Sequence, residues 1–189
     1  MSLVTARLAD SPLLPINATH YAHILPFYIS LLQDSIATYP GAELLDLAPL
    51  HEASKSMLKK AEKFEKESEE VRKQLEKNGK DKKGKHGKGK HGKKKRGHDD
   101  EGKKLKKKRD DINHRGMLLE RSFIDSDGSL PDRPWYKHVI FAPGKWAGYA
   151  AQPFPGIADW VAAGNIENAQ ETVEKVAEII RWAGKNLDG

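Results

Sequence analysis

No cysteine occurs in the 189 residues, which excludes disulfides, a thiol nucleophile and cysteine-ligated zinc while leaving the compartment open. No run approaches the roughly 18 consecutive apolar residues that a membrane-crossing helix needs, so this stretch is expected to be soluble. The first residues lack the basic region and following apolar stretch of a secretion signal, and any signal or anchor is expected outside this sequence. Sustained hydrophobicity is scarce as well. With 32% charged residues and a mean hydropathy of −0.71, the chain is too polar to be packed throughout, and part of it must be solvated.

Lysine is in excess, and it is unevenly placed. Residues Lys77 to Asp111 hold 15 Lys and 2 Arg against 6 Asp and Glu, a net of +11, which leaves −5 for the rest of a chain whose total is +6. At the centre of this insert stands Gly84-Lys85-His86-Gly87-Lys88-Gly89-Lys90-His91-Gly92, and Leu105 is its only large apolar side chain. Like-charge repulsion and glycine entropy both oppose folding, so residues 77–111 are expected to be a disordered basic low-complexity insert. The span suits a polyanion such as nucleic acid or anionic lipid, without aromatics to stack on bases. His86, His91 and His98 are poorly placed for a metal, because the lysines around them repel cations.

Outside the insert the apolar pattern is helical. Leu47, Leu50, Ser54, Met57, Ala61, Phe64, Ser68, Val71 and Leu75 alternate steps of three and four, which keeps one stripe on one face. Asp46 is placed to cap this helix, and Pro49 is tolerable in a first turn. A second stripe runs Ile166, Ala169, Val173, Val176, Ile180, Ala183 and Leu187 behind a cap at Asn165. Tyr21, Ile24, Tyr28, Leu31 and Ser35 mark an earlier helix that Pro26 should bend or delay. Ile112 to Phe123 reads as a shorter one, carrying Met117, Leu118, Leu119 and Phe123. Four such stripes bury one another best as a bundle. The expected class is all-α, a four-helix-bundle-like domain whose halves, 1–76 and 112–189, flank the insert.

One stretch exceeds what a bundle needs. Leu130-Pro131-Asp132-Arg133-Pro134-Trp135-Tyr136-Lys137-His138-Val139-Ile140-Phe141-Ala142-Pro143 has three prolines and cannot be helical, though Val139 to Phe141 suits a short extended run. It continues through Gly144-Lys145-Trp146-Ala147-Gly148-Tyr149 to Phe154-Pro155-Gly156-Ile157. Long irregular segments of this kind usually carry function. Catalysis within the chain finds no support. His20, His23, His51, His114 and His138 are scattered, the His20–His23 pair has no HExxH with it, and no nucleophile-elbow glycine pattern accompanies a serine. Asn17-Ala18-Thr19 is an N-glycosylation sequon, relevant only in a secretory or vacuolar setting. Asn17 also suits a helix cap.

Leu119-Glu120-Arg121-Ser122-Phe123-Ile124-Asp125, the proline-rich motif from Leu130 to Pro143, Tyr149-Ala150 and Phe154-Pro155-Gly156-Ile157 together resemble the C-terminal helical domain of the transferrin receptor/glutamate carboxypeptidase family of zinc peptidases. The opening Leu8-Ala9-Asp10-Ser11 with Leu14-Pro15 is similar to the point where such chains leave the peptidase domain. The likeness covers nearly everything except Lys77 to Asp111.

The resemblance implies a homodimeric parent built from peptidase, apical and helical domains, often a single-pass membrane protein facing the vacuolar lumen or cell exterior. Zinc would be held by the peptidase domain, and no cofactor by this chain. The helical domain would supply dimer contact and a loop that walls the substrate pocket. A Lys-Tyr pair in that loop recognises substrate glutamate in the family's glutamate carboxypeptidases, and it aligns with Gly148-Tyr149, so the tyrosine is kept and the lysine is not. The chain is therefore expected to be a dimerisation and pocket-wall domain, inert as an enzyme by itself. The alternative is a free-standing helical adaptor that binds a polyanion through its insert.

Overall fold

The computed structural model describes residues 3–83, 96–128, 130–145 and 151–189. The expected class holds: the fold is all-α, with six helices among the described residues. These are α1 (Leu3–Asp10), α2 (Ala18–Ile36), α3 (Ala48–Lys83), α4 (Arg96–Leu118), α5 (Pro155–Ala162) and α6 (Ile166–Asp188). Two short antiparallel strands, β1 (Phe141–Pro143) and β2 (Ala151–Pro153), pair with Ala142 opposite Gln152.

The stripe from Leu47 to Leu75 is the buried face of α3. Leu50, Met57 and Ala61 are inaccessible, Ser54 and Ser68 are buried among them, and Leu75 is partly covered. Asp46 Oδ1 accepts from the Ala48 N–H at 2.8 Å, and Pro49 sits in the first turn, where an N–H would have no helical partner. The stripe of α6 lies against it, starting from Asn165, whose side chain accepts from the Asn168 N–H at 3.0 Å. Their backbones come close because Gly184 has no side chain: a Cβ there would stand 3.2 Å from Met57 Cα. Helix α2 covers the other flank of α3, and α5 packs on α6.

The buried face of α2 is not the expected one. Ala18, Ala22, Leu25, Ile29, Leu32 and Ile36 face the core, whereas Leu31 and Ser35 are exposed and Ile24 is half-buried. This helix is apolar around much of its circumference, so two overlapping stripes fit the period. The one carrying alanines packs closest to α3, and it leaves Tyr21 and Tyr28 at the border of the core. Nor does Pro26 delay the helix, which begins at Ala18 with Asn17 Oδ1 accepting from the His20 N–H at 2.8 Å.

Helix also extends farther into the lysine-rich span than its composition suggested. Residues 77–83 continue α3 and residues 96–111 belong to α4, although both lie in the insert expected to be disordered; residues 84–95 lie outside the described residues. Likewise α4 begins at Arg96 rather than Ile112 and stops at Leu118, followed by a 3-10 turn over Glu120–Phe123. The physical reason is a seam that a charge count overlooks. Leu105, Ile112 and Leu119 recur at seven-residue spacing and are all buried. Arg115 sets the register, with its guanidinium 5.3 Å from the Phe64 ring centre, 2.8 Å from Glu67, 2.9 Å from Asp111 and donating to Leu187 O at 2.7 Å.

If this seam holds the start of α4, Leu105→Asp should open it locally. Burying a leucine stabilises by about 1.5–3 kcal/mol, so amide exchange across Lys103–Arg109 should accelerate by about ten- to a hundredfold. The α6 amides should be unchanged. Unaltered exchange at Lys103–Arg109 would show that Leu105 does not hold the segment.

Candidate functional site

Between the 3-10 turn and α5 the chain builds a platform from irregular backbone, tied together by hydrogen bonds between distant backbone groups. Val139 N–H donates to Phe123 O at 2.9 Å, Asp125 N–H to Lys137 O at 2.8 Å and Phe154 N–H to Ile140 O at 2.9 Å. Gly128 turns the segment with φ of +81°, and a Cβ there would meet Pro134 O at 2.7 Å, so a side chain is excluded on both counts. Strand β1 starts two residues later than the extended run expected from Val139. Its partner β2 escaped notice because three residues ending in proline carry little strand signal.

Arg133 is the centre of the platform. Its guanidinium reaches the buried carboxylate of Asp159 at 2.6 Å, donates to Pro143 O at 2.5 Å and lies 5.6 Å from the Tyr136 ring centre. One side chain thereby ties the proline-rich stretch to β1 and to α5. Sequence reasoning missed this pair. The available signal was Asp159, the one charged residue in the otherwise apolar run Pro155–Ala162, since a buried acid demands a cation. Outside it, Lys145 pairs with Asp132 at 2.9 Å and holds that carboxyl below its ordinary range.

His138 fastens the platform to the bundle. Nδ1 accepts from the N–H groups of Ile140 and Phe141, both at 3.3 Å, so the proton of the neutral ring sits on Nε2, which faces Glu120 Oε1 at 3.0 Å. Burial lowers the affinity of this imidazole for a second proton, and the Glu120 charge opposes that only in part. Aromatic contacts continue the junction: Tyr21 stacks on Phe123 at 5.0 Å and Tyr28 meets Phe141 edge-on at 4.8 Å. The Tyr21 hydroxyl is held above its usual range by burial and by Glu120 beside it.

Beside the platform lies an open depression of about 330 Å³, walled by Ser35, Ile36, Tyr39, Lys145, Gln152 and Asp159 among others. The two positions singled out for substrate contact, Gly148 and Tyr149, fall between β1 and β2 in sequence and lie outside the described residues. His20, His23 and His114 are exposed, and among the described residues no three His, Asp or Glu converge as a ligand set. Asn17 is exposed at the start of α2. No helix among the described residues is long and apolar enough to cross a membrane.

The chain is thus a helical bundle that carries a clamped, proline-rich platform. Residues 45–188 match the transferrin receptor-like dimerisation domain, and the chain belongs to that family. It is 26% identical over its whole length to a probable glutamate carboxypeptidase of Arabidopsis thaliana, of which it spans 23%. Over 75% of its length it is 32% identical to an inactive zinc metalloprotease of Schizosaccharomyces pombe, spanning 15% of that protein. An aminopeptidase of Rattus norvegicus is 24% identical over 98% of the chain, which covers 21% of that protein. The chain thus spans less than a quarter of the length of these relatives.

Two measurements test the platform's anchors. Arg133→Met leaves Asp159 buried without its cation and should cost about 3–5 kcal/mol in denaturant unfolding. The double variant Arg133→Met/Asp159→Leu should recover most of that loss, and equal loss in both would contradict the assignment. For His138 the native pKa lies below the unfolded value near 6.5, so the unfolded chain takes up the proton first as pH falls. Its stabilising contribution is complete above the unfolded pKa and declines as pH drops from there toward the native pKa. The wild type should therefore lose stability between about pH 7 and pH 5 more steeply than His138→Gln. Parallel slopes would contradict the neutral, amide-accepting ring.

Proposed function

We propose that this chain is the dimerisation and substrate-pocket-wall domain of a zinc-dependent exopeptidase, and that it hydrolyses nothing by itself. In this reading the metal belongs to a peptidase domain elsewhere in the protein, and the domain pairs with a second copy. The protein is placed at a membrane, facing the vacuolar lumen or the cell exterior. The observation that carries the pocket-wall role is the platform, where the buried Arg133–Asp159 pair and the half-buried His138 tie irregular backbone together beside an open depression. A pocket wall has to keep its shape without the regularity of a helix, and such cross-links support that role.

Within that role Tyr149 donates to a substrate carboxylate, and Gly148 supplies no charge where the glutamate-selective pattern has lysine. The protein accordingly prefers neutral or apolar terminal residues over glutamate. The test is the full-length protein on matched dipeptides ending in Glu, Leu and Ala. A hydrogen bond to a charged acceptor contributes about 1.5–3 kcal/mol, so Tyr149→Phe should weaken substrate use about ten- to a hundredfold. Strong native preference for Glu would overturn the specificity assignment, with Lys145 then the cation to remove.

A second reading rests on α4. Leu105 is buried, and Lys103, Lys104, Lys106, Lys107 and Lys108 around it are all exposed. Such a cluster suits a polyanion, and binding through it would fall steeply with added salt.

A further inference from the structure

In the sequon Asn17-Ala18-Thr19 only Ala18 belongs to the bundle core, and the geometry of Asn17 separates two uses of one side chain. Asn17 lies in extended backbone (φ −112°, ψ 92°) directly before α2 and is exposed. Its Oδ1 accepts from the His20 N–H at 2.8 Å and from the Thr19 hydroxyl at 2.7 Å. Its Nδ2 has no hydrogen-bond partner among the described residues. The preceding strap is pinned on both sides, by Leu14 N–H to Asn113 Oδ1 at 2.9 Å and by Ala18 N–H to Glu65 Oε1 at 2.7 Å.

We propose that Asn17 carries an N-linked oligosaccharide on the amide nitrogen that the fold leaves free, while the same side chain caps α2 through its oxygen. The inference rests on the lumenal or external placement proposed above. In the transfer, Nδ2 bonds to the anomeric carbon of an oligosaccharide carried on a lipid diphosphate. The sugar–phosphate C–O bond breaks, the lipid diphosphate leaves with its electron pair, and Nδ2 gives up one proton. The product is still a secondary amide whose carbonyl oxygen accepts hydrogen bonds, so the cap survives the modification. A cap that used the nitrogen, or a buried Asn17, would have made glycan and fold exclusive. Here they are compatible, and the sugar stands over solvent at the start of the helix.

The test uses the full-length protein made in a eukaryotic host, with location read by protease protection and Asn17 read by peptide mass before and after amidase deglycosylation. The expected result is a lumenal or secreted protein whose Asn17 peptide carries hexose and N-acetylhexosamine. Amidase treatment should strip the sugar and leave an aspartate in place of the asparagine, read as the matching mass change. Thr19→Ala and Asn17→Asp should both abolish the glycan and still fold, since each keeps a capping oxygen at position 17. A lumenal protein with Asn17 unmodified overturns the glycan alone. A cytosolic protein overturns the placement and the glycan together.

Discussion

The close approach of α3 and α6 is the constraint on which the rest depends. It is set by Gly184, whose missing side chain lets Met57 Cα approach, and the small residues Ala177 and Ala183 of α6 and Ala53 and Ala61 of α3 are buried as well. Interiors pack at crystal-like density, so a seam this tight fixes the relative height of both helices to within a methyl group. From that seam α2 takes one flank and α5 packs on α6, and the platform is delivered to the place where α5 begins. The end of α6 closes the arrangement, with Asp188 between Lys60 at 2.9 Å and Lys63 at 2.5 Å, a pairing that lowers its pKa to about 2.

Polar groups then do what apolar packing cannot. A bundle helix satisfies its own backbone, but a proline-rich segment must find partners elsewhere for every carbonyl and N–H it buries. Arg133 supplies a partner for Pro143 O and His138 for the N–H groups of Ile140 and Phe141, the first joining the segment to β1 and α5, the second seating it against the aromatic junction with α2. Buried ion pairs add little net stability, yet removing one partner is costly. That asymmetry suits a surface whose shape matters more than its free energy. Phe154 shows the same logic: it adopts φ of 45°, a conformation disfavoured for a side chain with a Cβ, and is held there by complete burial of its ring and by its N–H bond to Ile140 O.

Much of this is legible in the sequence, for identifiable reasons. The α3 and α6 stripes can be read residue by residue because their other faces are charged, which leaves one solution to the period. The α2 stripe misleads because the helix is apolar on several faces, and only packing against α3 chooses among them. Leu105 is easily discounted because a single apolar residue among lysines has no local pattern; its meaning appears when Ile112, Leu119 and the Arg115 register place it on a seam. The resemblance to the family is legible in the run from Leu130 to Pro143, which lies inside the matched span 45–188. The Arg133–Asp159 pair, 26 residues apart, has no spacing rule and becomes visible only in three dimensions.

We propose that this dimerisation-family domain brings two copies of its protein together, with exposed Phe27 and Leu31 of α2, Trp182 of α6 and other apolar side chains buried in the interface. Sedimentation equilibrium of the full-length protein at micromolar concentration measures this directly. The mass of a dimer is expected; a mass that stays at the monomer value across the concentration series would contradict the pairing.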